Sequence, residues 1–147
     1  MESLEQKKRR LFGKQFLQKY MNIIQRLTKT EDEIKPLSIV TTDYIIERQS
    51  LLKKKNEKRF EFNDKKEFKK YVINNFNYKG VVYLMTSLSK DCGGIELTSI
   101  NEFNFEFNYN DEPDGIVSII SSDFKEKILL DFYSIKDKTY IEIEYYC

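Results

Sequence analysis

From Gly80 onward apolar residues fall on every second position, and this constrains the fold more than any other feature of the chain. In the stretch NEFNFEFNYNDEPDG, residues 101–115, Phe103, Phe105, Phe107 and Tyr109 alternate with Asn104, Glu106, Asn108 and Asn110. Successive side chains of an extended backbone point to opposite faces, so the pattern makes one aromatic and one polar face, as in a half-buried strand. The same period predicts strands over Val81 to Leu88, Ile95 to Tyr109, Ile116 to Ser121, Lys127 to Tyr133 and Thr139 to Tyr146. The linking segments DCGG, DEPDG, SSD and KDK are short and rich in turn residues. Short links favour antiparallel neighbours, because parallel strands need long crossovers.

The first half has a different period. Over Ser3 to Thr28, Phe12, Phe16, Tyr20, Ile23 and Leu27 fall within an arc of roughly 80° on a helical wheel, which predicts one amphipathic helix. Ser3 with Gln6 forms a capping box, and the polar residues from Thr28 to Asp32 mark the helix end. After Pro36, Leu37 to Lys55 carries mixed signals: Ile39, Val40, Ile45 and Ile46 favour a strand, and Glu47 to Lys55 favours a helix. KKKNEKR (Lys53 to Arg59) reads as a charged loop, followed by a short alternating piece, Arg59 to Phe62. Asp64 with Glu67 predicts the start of another helix, striped by Phe68, Tyr71, Val72 and Phe76. The expectation is a single α+β domain over 1–147, helical over 1–76 and with its sheet over 80–147: a two-layer fold in which an antiparallel meander of four to five strands packs against amino-terminal helices.

The 147 residues suffice for one domain with a sizeable core. The longest apolar run is Val81 to Met85, far short of the ~20 residues that span a bilayer. Lys14, Gln15, Gln18 and Lys19 interrupt any signal-peptide core. Only two cysteines are present, in no framework spacing. A cytoplasmic chain in a reducing compartment is expected.

The chain has no histidine, which removes Ser-His-Asp and Cys-His arrangements and histidine-based zinc sites. Cys92, in DCGG, has only Lys90 nearby to lower its pKa, and reads as a turn cysteine. Neither GxxxxGK[ST] nor GxGxxG occurs. Asp111, Glu112 and Asp114 lie close together, but Pro113 interrupts them and the spacing is not that of an EF-hand, so a solvated turn with Pro at its second position is expected. No catalytic, cofactor or metal residues are assigned, and a non-enzymatic role is expected.

Charge is segregated. Residues 1–74 carry 19 Lys plus Arg against 11 Asp plus Glu, and residues 75–147 carry 6 against 13. Lys7, Lys8, Arg9, Arg10, Lys14 and Lys19 make the first helix basic, a surface that suits nucleic acid or an anionic membrane. The plainer expectation is that its Phe and Ile stripe packs on the sheet while Lys7 and Lys14 face water. No recognised nucleic-acid motif accompanies the helix, and Glu and Asn stand where an RNA-binding sheet would carry basic residues and glycine. At the other end, YIEIEYYC places Ile141, Ile143 and Tyr145 on one face and Tyr140, Glu142, Glu144 and Tyr146 on the other. Tyrosine buries a large area at small entropic cost, and carboxylates steer a basic partner. The alternative is a solvated outer face with cross-strand pairs.

A small, histidine-free α+β chain ending in KILLDFYSIKDKTYIEIEYY resembles the immunity proteins of bacterial polymorphic toxin and contact-dependent growth inhibition systems. The resemblance covers about Gly115 to Tyr146. It implies a stoichiometric inhibitor that binds a cognate toxin domain, often a basic nuclease. The partner-binding residues expected on the physical reading are Glu106, Asp111, Glu112, Asp114, Tyr140, Glu142, Glu144 and Tyr146.

Overall fold

A computed structural model describes all of residues 1–147. Its elements, in chain order, are α1 (Leu4–Gly13), α2 (Leu17–Leu27), α3 (Ile39–Gln49), β1 (Lys54–Glu61), α4 (Lys65–Asn75), β2 (Val82–Thr86), the single turn α5 (Ser89–Cys92), β3 (Ile95–Leu97), β4 (Ile116–Ser121), β5 (Lys127–Ile135) and β6 (Lys138–Tyr146). The fold is α+β, as the periods predict, with one six-stranded antiparallel sheet in the order β1-β6-β5-β4-β2-β3. Consecutive hairpins make β4, β5 and β6 a meander, while β1 joins the free edge of β6 and β2 joins that of β4. No helix is long and apolar enough to cross a membrane.

The inner face of the sheet carries Val82, Leu84, Ile95, Leu97, Val117, Ile119, Ile128, Leu130, Phe132, Ile141 and Ile143, all buried. Against it pack α2, through Tyr20, Ile23, Ile24 and Leu27, and α4, through Phe68 and Val72. The buried Tyr20 hydroxyl donates to the Gly93 carbonyl at 2.6 Å and lies 2.8 Å from Ser89 Oγ, which accepts from the Thr86 N–H at 2.8 Å. This satisfies a buried phenol that would otherwise be costly. Gly93 sits at φ +96°, and a Cβ there would lie 2.0 Å from the Leu37 carbonyl oxygen, so only glycine fits this crossing.

The expected strand from Ile95 to Tyr109 stops at Leu97. The chain then runs through 3-10 turns at Ile100–Glu102 and Tyr109–Asp111. Phe103, Phe105 and Phe107 are nevertheless all buried, in a ring cluster with Phe62, Phe68 and Phe132. Alternate burial was the correct expectation, and strand geometry was not.

Three expectations about the first half also change. Lys54 to Glu61, placed in a charged loop and a short alternating piece, is a full edge strand paired with β6. The Leu37 to Lys55 segment is mostly helix: Ser38 caps it through the Thr41 N–H, and Ile39, Thr42 and Ile45 form its buried side. This α3 lies on the outer face of the sheet, where Ile45 meets Met85 and Ile120. At α4, Asp64 precedes the first residue but its side chain makes no capping bond.

The expected single helix over Ser3 to Thr28 is broken by a 3-10 turn at Lys14–Phe16. Its Ser3–Gln6 capping box is present. Tyr20, Ile23 and Leu27 are buried as the stripe predicts, but Phe12 is 56% exposed. In α1 only Gly13 is buried, where a Cβ would sit 2.2 Å from the Asp91 carbonyl oxygen, so the missing side chain lets α1 lie directly on α5.

Candidate partner-binding face

Strand β6 is the second strand of the sheet, and its alternation sends Ile141, Ile143 and Tyr145 inward and leaves Tyr140, Glu142, Glu144 and Tyr146 half-exposed on the outer face. Register adds neighbours on both sides. Tyr133, Asp131, Leu129 and Lys127 of β5 stand opposite Tyr140, Glu142, Glu144 and Tyr146 in that order. On β1, Arg59 stands opposite Glu142 and Glu57 opposite Glu144. Helix α3 meets this face mainly at β2 and β4 and reaches β5 only at Lys127, so the surface formed by β5, β6 and β1 is left half-exposed.

The face is held by its own polar contacts. Tyr133 donates to Glu142 Oε2 at 3.2 Å, and Tyr146 donates to Glu144. The Arg59 guanidinium lies 4.6 Å from the Tyr140 ring centroid. Lys127 Nζ lies 4.4 Å from the Tyr146 ring and donates to Gln49 Oε1, at the end of α3, at 2.6 Å. Lys54 takes up Glu57 at 3.0 Å. Asp131, Glu142 and Glu144 are in no ion pair. Burial, followed by the charges of Glu142 and Glu144, raises the Asp131 carboxyl above its ordinary value. Burial and the bond to Glu144 push the Tyr146 phenol up to about 12. Burial lowers Lys127, against the attraction of Glu144. Burial is the largest cause of all three shifts; the carboxylates of Glu142 and Glu144 add to it at Asp131, and that of Glu144 opposes it at Lys127.

The other four expected residues lie elsewhere. Glu106 is exposed on the loop that carries Phe105 and Phe107 into the inner core. Asp111 accepts from the Asn108 N–H at 2.7 Å and stands 4.0 Å from Arg26, as part of a local cap. Asp114 is exposed and accepts from Ser87. The turn reads as expected, with Pro113 second and the Gly115 N–H donating to the Glu112 carbonyl at 3.1 Å. Glu112 itself is a correction: it is 2% exposed, points inward, and is not available to a partner.

Glu112 Oε1 accepts from the Asp114 N–H at 2.8 Å, whereas Oε2 has no partner. Burial raises this carboxyl, the Asp114 bond opposes the rise, and the Asp114 charge adds to it. A carboxyl whose folded pKa lies above its unfolded one holds its proton more tightly when folded. Its contribution is therefore most favourable in acid and is lost as pH rises from the unfolded value through the folded one. Glu112→Gln has no proton to lose. It is expected to gain about 1–3 kcal/mol over the parent at neutral pH, and nothing in acid, in urea unfolding followed by circular dichroism. A gain that does not depend on pH would contradict a buried, ionising carboxylate.

Cys92 donates to the Gly13 carbonyl at 3.5 Å, and burial followed by the Asp91 charge raises its thiol above the ordinary value. That is the reverse of what an activated thiolate needs. Asp131 and Tyr133 were missed in the sequence reading although the alternation of KILLDFYSI places them beside Glu142 and Tyr140. Glu57 and Arg59 gave no such signal, since their partners Glu144 and Glu142 on β6 are distant in the chain.

No family model matches the chain, and no curated protein or solved structure matches it significantly.

Proposed function

We propose that this chain is a non-enzymatic protein-binding inhibitor, an immunity protein that neutralises a cognate toxin domain of basic, nuclease-like character by stoichiometric binding. The observation that carries this reading is the outer face of β5, β6 and β1, where Asp131, Glu142 and Glu144 stand without ion pairs among Tyr133, Tyr140 and Tyr146. Like charges directly opposite one another across a strand pair cost stability, and Asp131 faces Glu142 while Glu57 faces Glu144. A surface that keeps such pairs is better suited to a cationic partner than to the isolated fold. A six-stranded sheet backed by two helices is also a rigid platform, so little ordering cost falls on binding. Glu106 and the Asp111 to Asp114 loop are not part of this face.

The direct test is co-expression with the reading frame adjacent to this one. A basic toxin domain encoded there should co-purify with this chain in one-to-one proportion and lose its toxicity. An adjacent toxin domain that neither co-purifies nor loses activity would refute the proposal.

A further inference from the structure

Helix α1 is mounted with its polar side toward the protein. Gln6 and Arg9 both bond Asp43 of α3, Gln6 Nε2 at 3.0 Å from Oδ2 and Arg9 Nη1 at 3.0 Å from Oδ1. Arg9 also approaches the Lys90 carbonyl, at 3.5 Å. Burial alone would raise Asp43, but its bonds from Arg9 and Gln6 outweigh that and hold its carboxyl below the ordinary value, so the clamp is ionic. Gly13, on the same side, rests on α5.

The apolar side therefore faces away. Leu4 is 69% exposed, Leu11 48% and Phe12 56%. They share an arc of roughly 100° on the helical wheel, centred about 130° from the Arg9–Gly13 side. Lys8 lies within this arc, and Lys7 and Lys14 line one margin. None of the three lysines is in an ion pair. Of the acids nearby, Glu5 is at the far margin beside Arg9, and Glu2 is paired with Arg10 at 2.8 Å.

We infer that α1 is an interfacial helix that seats Leu4, Leu11 and Phe12 in the surface of an anionic phospholipid bilayer, with Lys7, Lys8 and Lys14 on the headgroups. An exposed apolar stripe flanked by unpaired lysines is the arrangement by which helices lie in a membrane interface. Lysine stems extend along the apolar surface and carry their ammonium groups to the phosphates. A second copy would bring like-charged lysines together. Nucleic acid would leave the leucines and Phe12 in water. This surface shares no residue with the β5-β6-β1 face and stands independently of the inhibitor reading.

The chain has no tryptophan, so Phe12→Trp places a single reporter in the stripe. Its emission should shift to the blue with phosphatidylcholine vesicles containing phosphatidylserine, stay unchanged with phosphatidylcholine alone, and revert at high salt. In sedimentation with the anionic vesicles, Leu11→Ser/Phe12→Ser should lower partitioning at least about tenfold. Lys7→Ala/Lys14→Ala should lower it about fivefold for each lysine removed. These side chains are exposed, so circular dichroism should match the parent in both variants. The inference is overturned if the parent fails to sediment with anionic vesicles at low salt, or if the serine variant partitions like the parent. It is equally overturned if the stripe serves only a concentration-dependent dimer that the serine variant disperses, or if the lysines bind duplex DNA while the apolar substitutions change nothing.

Discussion

Phe107→Ala should cost about 4 kcal/mol of folding stability, the middle of the range for deleting a fully buried phenylalanine. Phe107 is 1% exposed, and its ring lies 5.4 Å from Phe62, 5.7 Å from Phe103 and 5.3 Å from Phe132, centroid to centroid. All of these pairs are edge-on, a geometry worth more than the buried area alone. After Leu97 the segment that carries it keeps one antiparallel bridge, Phe103 with Thr28, and the Lys65 ammonium donates to the Phe107 carbonyl at 2.9 Å; the buried phenylalanines supply the rest of its hold on the sheet. For a chain whose total stability is on the order of 5–15 kcal/mol, the loss should lower the melting temperature by about 12 °C. Glu106→Ala, one residue away and exposed, should stay within about 0.5 kcal/mol of the parent. Urea unfolding of the two variants checks the contrast. A cost below about 1 kcal/mol for Phe107→Ala would mean that the aromatic loop is not part of the core.

That contrast also separates what the sequence made legible from what it did not. Burial of Phe103, Phe105 and Phe107 followed from their spacing, because a chain laid across an apolar surface turns alternate residues toward it. Their backbone conformation did not follow. Between Thr98 and Asp111 the polar side chains bond to nearby backbone: Glu102 accepts from the Thr98 N–H, Ser99 from Asn101, Asn104 from Glu106, and Asp111 from Asn108. Such bonds offer the backbone an alternative to a ladder, and the density of Asn, Asp and Ser here was the available sign. In α3 the β-branched residues misled, because burial of Ile39, Thr42 and Ile45 outweighs their modest preference for strands. Strand β1 is an edge strand exposed along most of its length, so it alternates only at its end, around Phe60, and its charges suit an edge that must resist pairing with other chains. The orientation of α1 depends on the ion pair between Arg9 and Asp43, 34 residues apart, which no local period encodes.

At the outer face, alternation placed Tyr140, Glu142, Glu144 and Tyr146 together, and the structure keeps them so. It did not separate them from Glu106 and the Asp111 to Asp114 turn, because only the tertiary arrangement shows that this loop belongs to the inner side. Nor did it show that Glu142 sits between Arg59 and Asp131. That position makes a charge change there nearly neutral for the fold, since a lysine would gain Asp131 and meet Arg59.

The claim that this face meets a basic protein is tested most directly by Glu142→Lys/Glu144→Lys, titrated against the captured partner across a range of salt. Both side chains point away from the core, and the variant should unfold within about 1 kcal/mol of the parent. Against a cationic partner the double reversal should weaken binding about a hundredfold, mostly through slower association, and should flatten the dependence of affinity on salt. Equal affinity with an unchanged salt slope, measured on a variant that folds as well as the parent, would show that β5, β6 and β1 do not form the docking surface.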